Sequence, residues 1–132
     1  MTRARWMFAM VTALLVSVSC SDQPTNPGSG PGTLAVRLTT PHGDDGAMTF
    51  QVDGPVDNVS AANGSLRLFT RRVDGSTVVG AVIGPLANGA IIMLHVPDVS
   101  AAEAYTASVR EVADLDDALR ASLVGYVLTV TR

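Results

Sequence analysis

Residues 65–84 read SLRLFTRRVDGSTVVGAVIG, and this stretch predicts the fold class of the chain. Apolar side chains recur through both of its halves, and Asp74-Gly75 lies between them. An Asp-Gly pair favours the backbone of the tight turns that join two antiparallel strands. The stretch therefore predicts a β-hairpin within an antiparallel fold.

The segments on either side of the hairpin also have the character of strands. Apolar residues fall at every second position in residues 33–40 (TLAVRLTT), 47–54 (AMTFQVDG) and 125–130 (GYVLTV), as in strands with one buried face. Residues 54–64 contain a short segment expected at a sheet edge. Residues 90–96 (AIIMLHV) are apolar almost throughout, which predicts a strand buried on both faces.

Residues 101–123 are consistent with two structures. Their apolar residues fit a helical stripe that begins after Ser100 as a cap, but Tyr105, Ala107 and Val109 also alternate as in a strand. We favour a strand over residues 104–112 followed by an acidic turn. About eight strands without crossover helices then predict an all-β antiparallel sandwich.

Residues 54–98 resemble the middle of a cohesin-like or related bacterial immunoglobulin-like sandwich. The resemblance rests on the turn GPLANG at residues 84–89, which leads into the strongly apolar segment AIIMLHV. It implies a fold more than a function, because sandwiches of this kind have many functions.

Residues 1–20 (MTRARWMFAMVTALLVSVSC) have the pattern of an export signal. Two arginines precede an apolar stretch of about 13 residues, which is too short to span about 30 Å of hydrocarbon comfortably. The ending VSVSC resembles the lipobox of bacterial lipoproteins. The resemblance implies cleavage before Cys20 and attachment of lipid to its thiol; the alternative is a plain secretory signal that ends near a free thiol.

This interpretation divides the chain into three parts. Residues 1–19 form the signal peptide, residues 20–32 form a lipidated cysteine and a flexible tether rich in Pro, Gly and Ser, and residues 33–132 form the sandwich. The expected location is the bacterial cell envelope, at the outer membrane if the host has one. Because Cys20 is the only cysteine, the sandwich must fold without a disulfide.

The charge balance argues against nucleic acid as a partner. The whole chain has a formal charge of −3, and the part after the signal has seven arginines against twelve acids, or about −5. No lysine is present, which excludes Schiff-base chemistry. We expect no cofactor and no small-molecule substrate.

Residues suited to catalysis or metal binding are few, and we expect no catalytic site. His42 lies in a predicted turn and His95 in the apolar strand, far apart in sequence, so they do not have the spacing of zinc ligands. The acidic turns at Asp44-Asp45 and at Asp114, Asp116 and Asp117 are weak calcium candidates, for which solvated turns are the simpler interpretation.

The remaining candidate is an interaction patch formed by Arg67, Phe69, Arg71 and Arg72, for which a solvated strand face is the alternative. We expect a membrane-anchored lipoprotein that displays a small binding or structural module to a protein partner. An accessory subunit of a larger envelope complex is a second hypothesis. A hydrolase that uses a carboxylate pair is a third and weaker one.

Overall fold

The computed structural model describes residues 29–132, so the predictions for the signal, for Cys20 and for most of the tether lie outside the described residues. These residues form eight β-strands and one 3₁₀ helix. In chain order the elements are β1 (Gly32–Thr39), β2 (Asp45–Asp53), β3 (Asn58–Ala61), β4 (Arg67–Asp74), β5 (Thr77–Leu86), β6 (Gly89–Val96), the 3₁₀ helix (Val99–Ala104), β7 (Thr106–Asp114) and β8 (Val127–Thr131).

The strands form two antiparallel sheets of four strands each, which confirms the all-β sandwich. The first sheet has the order β3-β6-β1-β8, and the second has the order β4-β5-β2-β7. The predicted hairpin is β4 and β5, with Asp74 paired to Thr77 across the turn. The short edge segment predicted before Asn63 is β3, which lies at one edge of the first sheet.

The core lies between the two sheets and contains the residues that the alternation predicts. Side chains from β1, β2, β6 and β8 point inward from both layers. Those that are at most 8% exposed include Leu34, Val36, Leu38, Met48, Phe50, Val52, Ile92, Leu94, Val96 and Leu128. Burying each such side chain stabilises the fold by about 1.5–3 kcal/mol, so this apolar layer is the main source of stability.

Consecutive Ile91 and Ile92 are both buried, but the rest of strand β6 is buried on one face only, so the prediction is wrong for most of the strand. Ile92, Leu94 and Val96 face the core, whereas Met93 is half-buried and His95 is exposed. In the described part of the chain, the opposite face of the first sheet is an outer face, because each sheet of a two-layer sandwich packs on the other with one face only.

Residues 101–123 contain a strand, as we favoured, and not a long helix. Strand β7 begins at Thr106, two residues later than predicted, and the acidic turn follows it. The helical alternative is limited to the 3₁₀ helix, whose cap is Asp98 and not Ser100. No helix within residues 29–132 has the length and apolar character that crossing a membrane requires.

The direction of β1 defines two ends of the sandwich. At the start of β1, Gly30 and Val99 are joined by a backbone hydrogen bond of 3.0 Å, so the first described residues lie beside the 3₁₀ helix. At the other end of β1, Thr40 contacts Asp45 at the start of β2. A strand of eight residues separates these ends by about 26 Å.

Candidate functional site

A buried carboxylate lies at the end of the sandwich where β1 meets β2. Asp45 is 1% exposed, although the sequence predicts that it belongs to a solvated acidic turn, and that prediction is wrong. Thr40 Oγ1 donates to Asp45 Oδ2 at 2.6 Å, and the hydroxyl of Tyr126 donates to Oδ1 at 2.8 Å. Together with Arg120, these side chains cover the Asp45 carboxylate and provide its hydrogen-bond donors.

Arg120 provides the third donor and also balances the charge. Its Nε and Nη2 donate to Asp45 Oδ1 at 3.1 and 3.0 Å. Nη2 also donates to the exposed Asp44 at 2.5 Å, and Nη1 lies 4.0 Å from Asp114 Oδ2. One guanidinium therefore lies beside three carboxylates and balances part of their negative charge.

The ionisation of this cluster follows from its contacts. Burial raises the pKa of Asp45. The hydrogen bonds from Thr40, Tyr126 and Arg120 together lower it by more than burial raises it, so the pKa lies below the ordinary value of 3.8. Burial and the neighbouring Asp45 carboxylate raise the pKa of Tyr126. At neutral pH Asp45 is thus ionised and Tyr126 is neutral, and the phenol acts as the donor.

The cluster is built to hold a loop in place. The connection between β7 and β8 contains Arg120 and ends at Tyr126, and both side chains bind Asp45 on β2. Both carboxylate oxygens of Asp45 have donors, and no buried side-chain N or O atom within residues 29–132 lacks a hydrogen-bond partner. A carboxylate bonded in this way holds the β7–β8 connection against β2.

Of the weak calcium candidates in the turn after β7, Asp114 has a structural role. Asp114 Oδ1 accepts the backbone N–H groups of Asp116 and Ala118 at 2.9 and 3.0 Å, which shapes the acidic turn. Asp117 is exposed and has a φ of 63° in that turn. Over the described part of the chain, no group of three or more His, Cys, Asp or Glu side chains is arranged to hold a metal ion.

The two histidines lie at opposite ends of the sandwich. His42 is near the Asp45 end, where its ring centroid is 5.9 Å from that of Tyr126. His95 pairs with Thr33 at the start of β1, and its ring nitrogens lie 3.4 Å from Thr33 Oγ1 and from Ser60 Oγ. The two imidazole rings are therefore too far apart to bind one small ligand together.

The predicted interaction patch is divided between two sides of β4. Arg67, Phe69 and Arg71 lie at alternate positions on the outer face of the second sheet, and Phe69 is 58% exposed. Arg72 points the other way, where Nη2 donates to the backbone oxygen of Val56 at 2.7 Å and also reaches that of Asp57. Arg72 thus ties β4 to the segment before β3.

The outer face of the second sheet carries apolar side chains across all four of its strands. Ile83 on β5 is paired with Arg67 on β4 and with Ala47 on β2, and Ala47 is paired with Ala113 on β7. Leu119 bridges to Ala113 and is 68% exposed. Shallow depressions of about 130 and 360 Å³ lie on this face, the larger one beside Phe69.

Gly80 on β5 lies where a core side chain and the backbone of β4 leave no room for a Cβ atom. A Cβ atom at Gly80 would lie 2.5 Å from the backbone oxygen of Phe69 and 2.7 Å from Cζ of Phe50. Phe50 fills the core beneath β5, while Phe69 lies on the neighbouring strand at the outer face. The absence of a side chain at residue 80 therefore lets the core residue and the edge strand approach closely.

No protein-family model, curated protein or solved structure matches this chain.

The sequence pattern places Arg67, Phe69 and Arg71 on one exposed face of β4, but it does not reveal the buried cluster at Asp45. The alternation of β4 places Arg67, Phe69 and Arg71 on one side, and the same alternation gives a signal that Arg72 is on the other. The partners Arg120 and Tyr126 lie 75 and 81 positions from Asp45. No local pattern reports a contact over that separation.

Proposed function

We propose that this chain is a membrane-anchored extracytoplasmic lipoprotein whose sandwich is a non-catalytic module that binds a protein partner. The binding surface is the outer face of the second sheet. The observation that carries the proposal is Phe69, exposed between Arg67 and Arg71 on a face that also presents Ile83 and Leu119. Single exposed apolar residues are ordinary, but an exposed aromatic residue between two arginines, with further exposed apolar side chains on the same face, is typical of an interface.

The anchor in this proposal is Cys20, and the described residues support an orientation relative to it. Ser29 and Gly30 lie beside the 3₁₀ helix, at the opposite end of β1 from Asp45. With a lipid on Cys20, the tether joins the sandwich at the end of β1 opposite the loops around Asp45. Strand β4 then lies along the side of the module, where a partner in the envelope can reach it.

The sandwich in this proposal is of the immunoglobulin-like or cohesin-like kind. Two four-stranded antiparallel sheets around one apolar core support that assignment. A module of this kind offers a partner either a sheet face or a strand edge. In this chain β4 provides a strand edge and also part of the outer face of the second sheet.

The experiment is site-specific photo-crosslinking in intact cells. A photo-reactive phenylalanine analogue is placed at position 69, and a matched control carries it at position 124, where the native Val124 is 86% exposed in the loop before β8. We expect one discrete protein adduct at position 69 that is absent at position 124 and is lost in the Arg67→Glu/Arg71→Glu background. Equal adducts at both positions, or none at position 69, would refute the proposal.

A second candidate function is a permanent subunit of a larger envelope complex. The exposed Phe69, Ile83 and Leu119 favour it, because permanent interfaces are more apolar than transient ones. Native electrophoresis of membranes solubilised in mild detergent distinguishes the two. A permanent subunit migrates entirely within a larger complex, whereas a transient binding module migrates mostly alone.

A further inference from the structure

Strand β4 is an open sheet edge. Among the strands of residues 29–132 it pairs with β5 alone, and seven of its eight residues are exposed. The unpaired side of an edge strand presents a row of backbone N–H and C=O groups that another strand can use. Arg72 reaches across to the backbone oxygens of Val56 and Asp57, so the edge is most open over residues 67–71.

The side chains over this open section have a regular charge pattern. Arg67, Phe69 and Arg71 alternate on the outer face, so the pattern is basic, aromatic and basic at a spacing of two residues. Their cross-strand neighbours on β5 are Ile83, Ala81 and Val79, none of which is charged. Within residues 29–132, the guanidinium groups of Arg67 and Arg71 have no side-chain hydrogen bond and no ion pair, although both backbones pair with β5. Two uncompensated positive charges therefore flank Phe69 in a chain whose formal charge is −3.

We propose that β4 binds an extended segment of a protein partner as an additional strand, and that this segment alternates an acidic, an apolar and an acidic side chain. This inference rests on the proposed function and adds its mode of binding. In a sheet, directly opposed side chains lie about 4.5–5.5 Å apart, so acids on the new strand lie opposite Arg67 and Arg71. The apolar residue between them covers Phe69. Backbone hydrogen bonds provide affinity, and the alternating side chains provide selectivity.

The charges argue against a second copy of β4 as the added strand. Self-pairing would bring arginines of both copies together on one face, and opposed like charges destabilise a strand pair. A partner strand with acids at two alternate positions has no such conflict.

The test uses two synthetic peptides that differ only in charge, TETFTET and TKTFTKT. Each is titrated into the ¹⁵N-labelled full chain in detergent micelles, and the amide resonances and amide hydrogen exchange of β4 are followed. We expect TETFTET to shift and protect amides in residues 67–71, and to bind about tenfold more tightly than TKTFTKT, as two charge pairs allow. The Arg67→Glu/Arg71→Glu variant is expected to reverse this preference, which also shows that the variant is folded.

Three outcomes would overturn the inference: equal affinity for the two peptides, no binding of either, or shifts confined to other strands. The crosslinking experiment separates this failure from that of the proposed function. If position 69 captures a partner in cells while β4 amides gain no protection from TETFTET, the face binds a partner but not by strand addition. If both experiments fail, the proposed function fails with it.

Discussion

Asp45 is a buried charged residue whose charge must be compensated by neighbouring groups. A carboxylate that is 1% exposed is tolerated only because Thr40, Arg120 and Tyr126 all donate to it. Removing such a partner leaves the other groups buried and unpaired, which costs more than the interaction itself contributes. The adjacent Asp44 is a natural comparison, because it binds the same guanidinium from an exposed position.

We therefore expect Asp45→Ala to lower the free energy of unfolding by about 3–5 kcal/mol, because it leaves Arg120 without its buried counterion. The control is Asp44→Ala, which is expected to cost about 1 kcal/mol or less, as exposed ion pairs do. Urea denaturation followed by fluorescence or circular dichroism measures both. Similar losses in the two variants would contradict the role assigned to Asp45.

The same cluster predicts how stability depends on pH. The pKa of Asp45 in the folded state lies below 3.8, so the carboxylate contributes stability above that value and loses it as the pH falls through the folded pKa. We expect the free energy of unfolding to decrease below about pH 4. Asp45→Asn should flatten this decrease. Part of it will remain, because hydrogen bonds from Ser76 and Ser100 also lower the pKa values of Asp74 and Asp98.

Cys20 is the predicted site of lipid attachment. The wild-type chain should incorporate radiolabelled palmitate in bacterial cells, and Cys20→Ser should not, because only a thiol at this position can form the thioether. The control is the unchanged sandwich, which should be recovered in a soluble fraction from the Cys20→Ser strain. Label on the variant would refute lipidation at Cys20.

At the scale of elements, the hairpin of β4 and β5 is packed tightly on one strand and open on the other. Gly80 on β5 lies directly between Phe50 in the core and the backbone of Phe69. Within residues 29–132, no strand is hydrogen-bonded to the far side of β4, where Arg72 and the nearby β3 make the remaining contacts. The hairpin therefore combines a rigid attachment to the core with an accessible edge, which is what strand addition requires.

Gly80→Ala tests this attachment. We expect it to destabilise the fold by about 1–3 kcal/mol, because the new methyl group must displace β4 or Phe50. The control is Gly75→Ala in the turn, where a Cβ atom would have no neighbour within 4 Å and where the change should be close to neutral. Thermal unfolding of both variants is the measurement. A Gly80 variant as stable as the Gly75 variant would show that the contact at residue 80 is loose.

At the scale of the whole molecule, one apolar core between two sheets should unfold as one unit. A fragment of residues 29–132 is expected to give a β-type far-ultraviolet circular dichroism spectrum and a single cooperative transition that coincides with loss of near-ultraviolet signal. The Asp45→Ala variant should shift that transition without dividing it. Strong helical minima or two separate transitions would contradict a single sandwich.

The local alternation of side chains determines most of this architecture. The strands, the hairpin at Asp74-Gly75 and the core positions on β1, β2 and β8 all follow from which residues recur at every second position. The exposed position of Phe69 follows from the same rule. Each of these features depends on neighbours within a few residues, so the sequence by itself specifies them.

Tertiary structure alone decides the features that depend on distant segments. The acid pair Asp44-Asp45 resembles a solvated turn in sequence, and Asp45 is buried only because Arg120 and Tyr126 return to it from the other end of the chain. The outer face of β6 is partly exposed because residues 29–132 form two layers and no third. The edge position of β4, on which the proposed binding depends, follows from the order of strands in the sheet. Strand order reflects packing between segments that are far apart, and no periodicity within one strand contains it.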